Sequence, residues 1–333
     1  MADTRLRITG IAPALAVPGG EVTIHCEGFV PGLPCDSKVL FGTIEASISS
    51  ASEDRIVVRV PDSPQALGVA LRVGDAVSPL FPFQSARQVA KGLHPVTSPA
   101  VASDGSVITT ISGSRGEKME HPLVRIERSG EVVPLQCEIM NPTGVAFGPG
   151  GRLYVSSRND GVVLRMGGDG QFEPVADDLG IACGIAFDSS GTLHVGDRSG
   201  TIYRVDAGGR KTELARLEPS VSAYHLTFDR ADNLYVTGPT FSTRDALYRI
   251  PPDGSVETVV TGIARPQGMA LDDVTLLVTA AFGGRKGVFR LSGSGALEHF
   301  IAGPTLVGVA AAPDRALYLA DNSSVYRLER RRA

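Results

Sequence analysis

The chain of 333 residues contains no run of about twenty apolar residues, which excludes a membrane-spanning helix. Its first residues, MADTRLRITG, lack a basic segment followed by an apolar one. No signal peptide is therefore expected, and a cytoplasmic location is the expectation. Four cysteines (Cys26, Cys35, Cys137, Cys183) form no CxxC pair. With no export signal their thiols are expected to be reduced, and a Cys26–Cys35 bridge stays open as the alternative. There is no excess of positive charge: 32 Lys and Arg face 36 Asp and Glu, for a net charge of −4. That balance gives no pull toward nucleic acid or anionic lipid, so neither is expected as a partner. The motifs GxSxG and HExxH, the P-loop and the dinucleotide fingerprint are all missing. No helical period appears anywhere in 84–333.

What the chain does have is glycine (39), proline (22) and repetition, with 42% hydrophobic residues to fill a core. The phrase LYRIPPDG (247–254) recurs as LVRIERSG (123–130), VLRMGGDG (163–170), IYRVDAGG (202–209), VFRLSGSG (288–295) and VYRLERRR (325–332). A period of about forty residues signals a repeat architecture. Each unit opens with a small-residue strand such as TGVAFGPGG (143–151) or CGIAFDSSG (183–191). An alternating strand such as RLYVSS or NLYVTG follows, then the Arg strand, then a short run such as FEPVADDL. Four period-two strands per unit, divided by turn signals, make a propeller blade.

The last unit stops at its third strand, VYRLERRR. Its fourth strand is expected from the other end of the repeat array. Val89 precedes Thr97 by eight residues, as Val175 precedes Cys183 and Val259 precedes Gln267. Residues 84–93 are thus expected to complete the sixth blade and close the ring, which protects edge strands. The recurring arginines (Arg125, Arg165, Arg204, Arg249, Arg290, Arg327) are expected to lay their stems on apolar surface with heads paired or solvated. An anion site lined by them is the rival reading.

Residues 1–83 stand outside the repeat. Alternation in VTIHCEGF and RIVVRVP, with Gly and Pro between runs, indicates a small antiparallel sandwich. The expected fold is therefore all-β, an immunoglobulin-like β-sandwich over 1–83 followed by a six-bladed β-propeller over 84–333. The first part resembles the IPT/TIG immunoglobulin-like family through Pro13, Gly19-Gly20, Val22-Thr23-Ile24, Gly28-Phe29, Phe41-Gly42 and Val60-Pro61, with Cys26 where Gly is usual. That resemblance implies a spacer or contact module without catalytic residues. The propeller resembles NHL-type repeats and the senescence-marker-protein/gluconolactonase and strictosidine-synthase-like groups, most clearly in NPTGVAFGPGGRLYVSS and RPQGMALDD.

The gluconolactonase resemblance implies a hub cation held by a Glu, two Asn and an Asp. The sequence departs from that set, with Pro266-Gln267-Gly268, Ala223-Tyr224-His225 and Leu93-His94-Pro95 at the matching places and Asn141 as the one amide. Hard cations need carboxylate oxygen, so neither a metal nor an organic cofactor is expected. Hub candidates are Thr97, Asn141, Thr143, Cys183, Tyr224, His225 and Gln267. Cys183 and His225 lie on adjacent blades; a buried thiol beside a satisfied imidazole is the reading set against a nucleophile–base pair. Asp197, Asp321, Asp188 and Asp229 are expected to cap turns. Variable loops supply a rim, where Phe241, Arg244, Phe282 and Arg285 stand out beside Arg115, Lys118, His121 and Lys286. The expected function is binding of a small molecule or protein partner on this loop-bearing face. The alternative is a hydrolase of the gluconolactonase or strictosidine-synthase-like type with an altered hub.

Overall fold

The computed structural model describes residues 5–31, 37–62, 68–111, 118–242 and 244–330. Cys35 and Arg115, named above, lie outside them. The chain divides into two compact units. The first comprises Met1–Gln88 with Arg285–Val288 and His299–Thr305; the second holds the remainder.

The first unit is a β-sandwich. One sheet orders Arg7–Ala12, Glu21–Glu27, Arg55–Arg59 and Ser47–Ala51; the other is built on Ser37–Phe41 and Gly68–Val73. Alternation drives the burial, since Val22, Ile24, Ile56, Val58, Val39, Phe41, Val69 and Leu71 all point into one core. Phe41 and Phe83 meet edge to face with centroids 5.1 Å apart, a favoured aromatic geometry. Cys26 is a free, buried thiol in this core, and burial pushes its pKa up to about 11. Leu15–Ala16 pairs in parallel with Ile301 and Ala302 of the same unit, and Gln84–Ser85 pairs with Leu15–Ala16.

The repeats form a six-bladed β-propeller. Blade 1 holds Ala100–Val101, Val107–Thr110, Leu123–Ile126 and Val132–Pro134. Blade 2 spans Pro142–Phe147 to Phe172–Ala176, blade 3 Ala182–Phe187 to Lys211–Arg216, and blade 4 His225–Phe228 to Glu257–Ile263. Blade 5 runs from Met269–Asp272 to Leu297–Ala302. In blade 6, Leu306–Ala311, Leu317–Asp321 and Ser324–Leu328 are followed at the outer edge by Arg87–Lys91 from the start of the array. The Leu93 amide donates to the Ser323 carbonyl at 3.0 Å, extending that contact.

The six arginines of the third strands find partners on the outer surface. Arg165, Arg249 and Arg290 reach Glu173, Glu257 and Glu298, each eight residues onward. Arg125 bonds Asp104 and Glu127, and Arg327 bonds Asp314 and Glu329. Arg204 donates to the Pro252 carbonyl at 3.1 Å. Their spacing follows from antiparallel pairing of third and fourth strands, and they converge on no common site. Among the described residues no helix is long and apolar enough to cross a membrane.

Candidate site in the central channel

The innermost strands begin with a column of small residues. Gly144, Gly184, Gly268 and Gly308 stand at one register, with Ser98 in blade 1 and His225 in blade 4. Glycine is required there because neighbouring strands nearly touch. A Cβ at Gly144 would lie 2.5 Å from the Cys183 carbonyl, and one at Gly308 would lie 2.5 Å from the Thr97 carbonyl. The close approach lets blades bond directly: Gly184 donates to Tyr224 O at 2.9 Å and Gly268 to Val307 O at 3.0 Å. Ser156 Oγ accepts from Gly144 at 2.7 Å and donates to the Cys183 carbonyl.

His225 breaks the glycine column, and blades 4 and 1 are opposite in a ring of six. Its imidazole reaches across to Thr97, with Nδ1 and Oγ1 3.4 Å apart. Both side chains are buried, at 4% and 6% exposure, and together they close one end of the channel. Burial disfavours the imidazolium and pushes the His225 pKa down to about 4, so the ring is neutral at pH 7. Nε2 has no hydrogen-bonding partner among the described residues.

Beyond this pair lies a cavity of about 390 Å³. It runs from Thr97 and His225 at the strand starts to Phe147, Phe187 and Phe228 at the strand ends. Its walls are the free edges of the innermost strands, which present peptide N–H and C=O groups. Ser98 and Thr227 add hydroxyls, and His225 is the one ionisable side chain in the lining. No three His, Cys, Asp or Glu side chains are grouped to hold a metal ion among the described residues.

Residues 6–85 are an IPT/TIG domain. No match was found among curated proteins. Among solved structures, an auxiliary nutrient binding protein from Bacteroides ovatus is similar over 99% of this chain and 98% of its own, at 12% identity and a TM-score of 0.57. A gluconolactonase from Xanthomonas campestris matches 70% of this chain and 80% of its own, at 20% identity and a TM-score of 0.50. A catalytically inactive virginiamycin B lyase from Staphylococcus aureus with quinupristin matches 99% and 96%, at 16% identity and a TM-score of 0.51. At these identities the likeness is one of fold.

Of the hub residues expected from sequence, Thr97 and His225 come together at the cavity. The others do not line it. Thr143 is 3% exposed and its hydroxyl turns back to Asn141 O at 3.3 Å. Asn141 itself takes a left-handed conformation, with φ 49°. Cys183 is fully buried, with burial pushing its pKa up to about 11. Its Sγ contacts the Ile181 carbonyl at 3.2 Å, leaving the imidazole of His225 to Thr97. Tyr224, expected at the hub, is instead 0% exposed in the core between blades 3 and 4, its hydroxyl donating to the Glu218 carbonyl. Gln267 contributes its backbone amide to Thr279 O at 2.8 Å.

The rim residues have different surroundings. Phe241 is 79% exposed and Arg244 is exposed beside it. Phe282 packs edge to face on Phe289 with centroids 6.0 Å apart. Arg285 falls in the unit that contains the IPT/TIG domain and donates to Thr23 Oγ1 at 3.2 Å. Asp197 and Asp321 cap turns, on Ser199 and on Ser323 and Ser324. Sequence reasoning overlooked Ser98 and Thr227. The signal for Ser98 was present: a column of four glycines with two exceptions, Ser98 and His225, marks the two positions of that register that carry a side chain.

Proposed function

We propose that this propeller is a binding protein that takes a small, uncharged, hydrogen-bonding molecule into its central channel. The observation that carries the reading is the neutral His225–Thr97 pair at the closed end of a polar cavity of about 390 Å³. That volume is in the range of small-molecule sites. A charged ligand would lose hydration there and gain no counter-charge. The free Nε2 of His225 and the peptide edges offer directional bonds instead. The binding role named for the Bacteroides ovatus protein of similar fold is in keeping with this reading.

A hydrolase would ask more of the same residues. A thiol with pKa near 11 is a poor nucleophile at neutral pH. An imidazole with pKa near 4 is a weak general base. The test is a ligand-observed NMR screen of neutral monosaccharides, polyols and lactones beside anionic analogues, with D-glucono-1,5-lactone also assayed for hydrolysis with and without divalent ions. The reading expects neutral binders that compete with one another and are lost in His225→Phe, with no lactone turnover. Anionic binders that survive His225→Phe and are lost in Arg244→Ala would move function to the loop face. Metal-dependent turnover would replace binding with hydrolysis.

A further inference from the structure

Two consecutive seams between blades share an aromatic contact. Where blade 2 meets blade 3, Tyr154 packs edge to face on Phe187, with centroids 4.7 Å apart. Where blade 3 meets blade 4, His194 packs the same way on Phe228 at 4.9 Å. Strand register makes the positions equivalent: Ala146 pairs with Tyr154, Ala186 with His194 and Thr227 with Tyr235. The next seam therefore places Tyr235 of blade 4 where it should meet the end of the first strand of blade 5. That residue is Leu271, paired with Leu276 as Phe187 is with Leu193 and Phe228 with Leu234.

The seam between blades 4 and 5 is correspondingly open. A cavity of about 610 Å³ lies there, lined by Tyr235, Val259, Leu271, Val274 and Leu291 with Arg249 and Glu257 at its polar side. The equivalent cavity between blades 2 and 3, with Phe187 in place, measures about 300 Å³. Val274 is 71% exposed at the wider one. Arg249 and Glu257 bond each other at 2.9 Å, so the seam offers no free charge from this pair. The ring of Tyr235 is half-buried with an apolar wall opposite and no ring to meet it.

We propose that this seam is a second ligand site, distinct from the channel, which accepts one aromatic ring of a small molecule against Tyr235. The incoming ring takes the place that Phe187 and Phe228 hold at the two preceding seams. Edge-to-face contact supplies orientation, and Val259, Leu271 and Leu291 supply apolar surface that water covers in the free protein. The site needs nothing from His225 or Thr97, so it stands or falls apart from the channel reading.

Indole is a suitable probe because the chain contains no tryptophan, which leaves indole emission free of any tryptophan background. Titration of indole with the full chain should give a saturable blue shift as the ring leaves water. Leu271→Phe restores the internal ring and should weaken binding at least tenfold. Gly293→Leu blocks the same cavity from its mouth; a Cβ there meets no atom within 4 Å, so the variant is expected to fold normally. His225→Phe should bind indole as the unaltered protein does. An absent or non-saturable shift would overturn the proposal. So would a shift unchanged in folded Gly293→Leu, or one abolished by His225→Phe, which would place indole in the channel.

Discussion

Single side chains carry much of what distinguishes this propeller from a set of identical blades. Thr109 occupies a column in which the other blades have Val155, Val195, Val236, Val278 and Leu319, all fully buried. Its hydroxyl is buried without a hydrogen-bond partner. An unsatisfied buried hydroxyl costs about 1–3 kcal/mol. Thr109→Val keeps the shape and removes the hydroxyl, so urea unfolding should show a gain of about 1 kcal/mol. A loss would mean that the hydroxyl is satisfied in solution.

His225 gives stability a pH dependence. Burial holds its folded pKa near 4, below the 6.5 of an ordinary histidine, so the unfolded chain binds the proton more readily. Stability from this group is complete above pH 6.5, falls as pH drops toward 4, and levels off below. The full difference is roughly 3 kcal/mol. His194 and His299 are shifted downward too, chiefly by burial, and contribute in the same direction. Chemical unfolding of the unaltered protein and His225→Gln across pH 4–7 isolates the one group. The variant should show the shallower slope, and equal slopes would contradict a buried neutral imidazole.

At the scale of the strand, the glycine column sets how closely the blades approach. Gly144→Ala would push a methyl onto the Cys183 carbonyl at 2.5 Å. Overpacking of that kind costs roughly 1–3 kcal/mol. Gly168, in a surface turn, has open space around its Cβ position, and Gly168→Ala should change stability by less than about 0.5 kcal/mol. Thermal unfolding of the pair checks the contrast; equal melting temperatures would mean the column is not tightly packed.

Strand periodicity, turns and the repeat were legible in the sequence because each depends on local patterning. Tyr224 was not, since an aromatic beside the hub reads the same whether it faces a ligand or the next blade. Burial of that kind is decided by the neighbouring strand, about forty residues away in a repeat of this type. The rim is harder to read for a related reason: residue type picks out Phe241 and Arg285, but loop geometry decides whether such groups converge. The glycine column was readable in principle, and with it the exceptions Ser98 and His225, but not that His225 meets Thr97 across the axis.

For the molecule as a whole, Arg87–Lys91 joins the last blade from the start of the array. Ala90 is 8% exposed in the core shared with Tyr318 and Val325. Ala90→Asp would bury an unpaired carboxylate there and should cost roughly 3 kcal/mol, while Lys91→Asp on the exposed side should be nearly neutral. Equal thermal unfolding of the two variants would mean that this strand does not complete the blade.

The central claim is that the channel is the binding site. The most direct measurement is a crystal structure of the protein soaked with a neutral binder from the screen, read for density around His225. The account expects the molecule inside the channel, within hydrogen-bond reach of His225 Nε2 and the edges of the innermost strands. A molecule bound instead among Phe241 and Arg244, with only water beside His225, would contradict it.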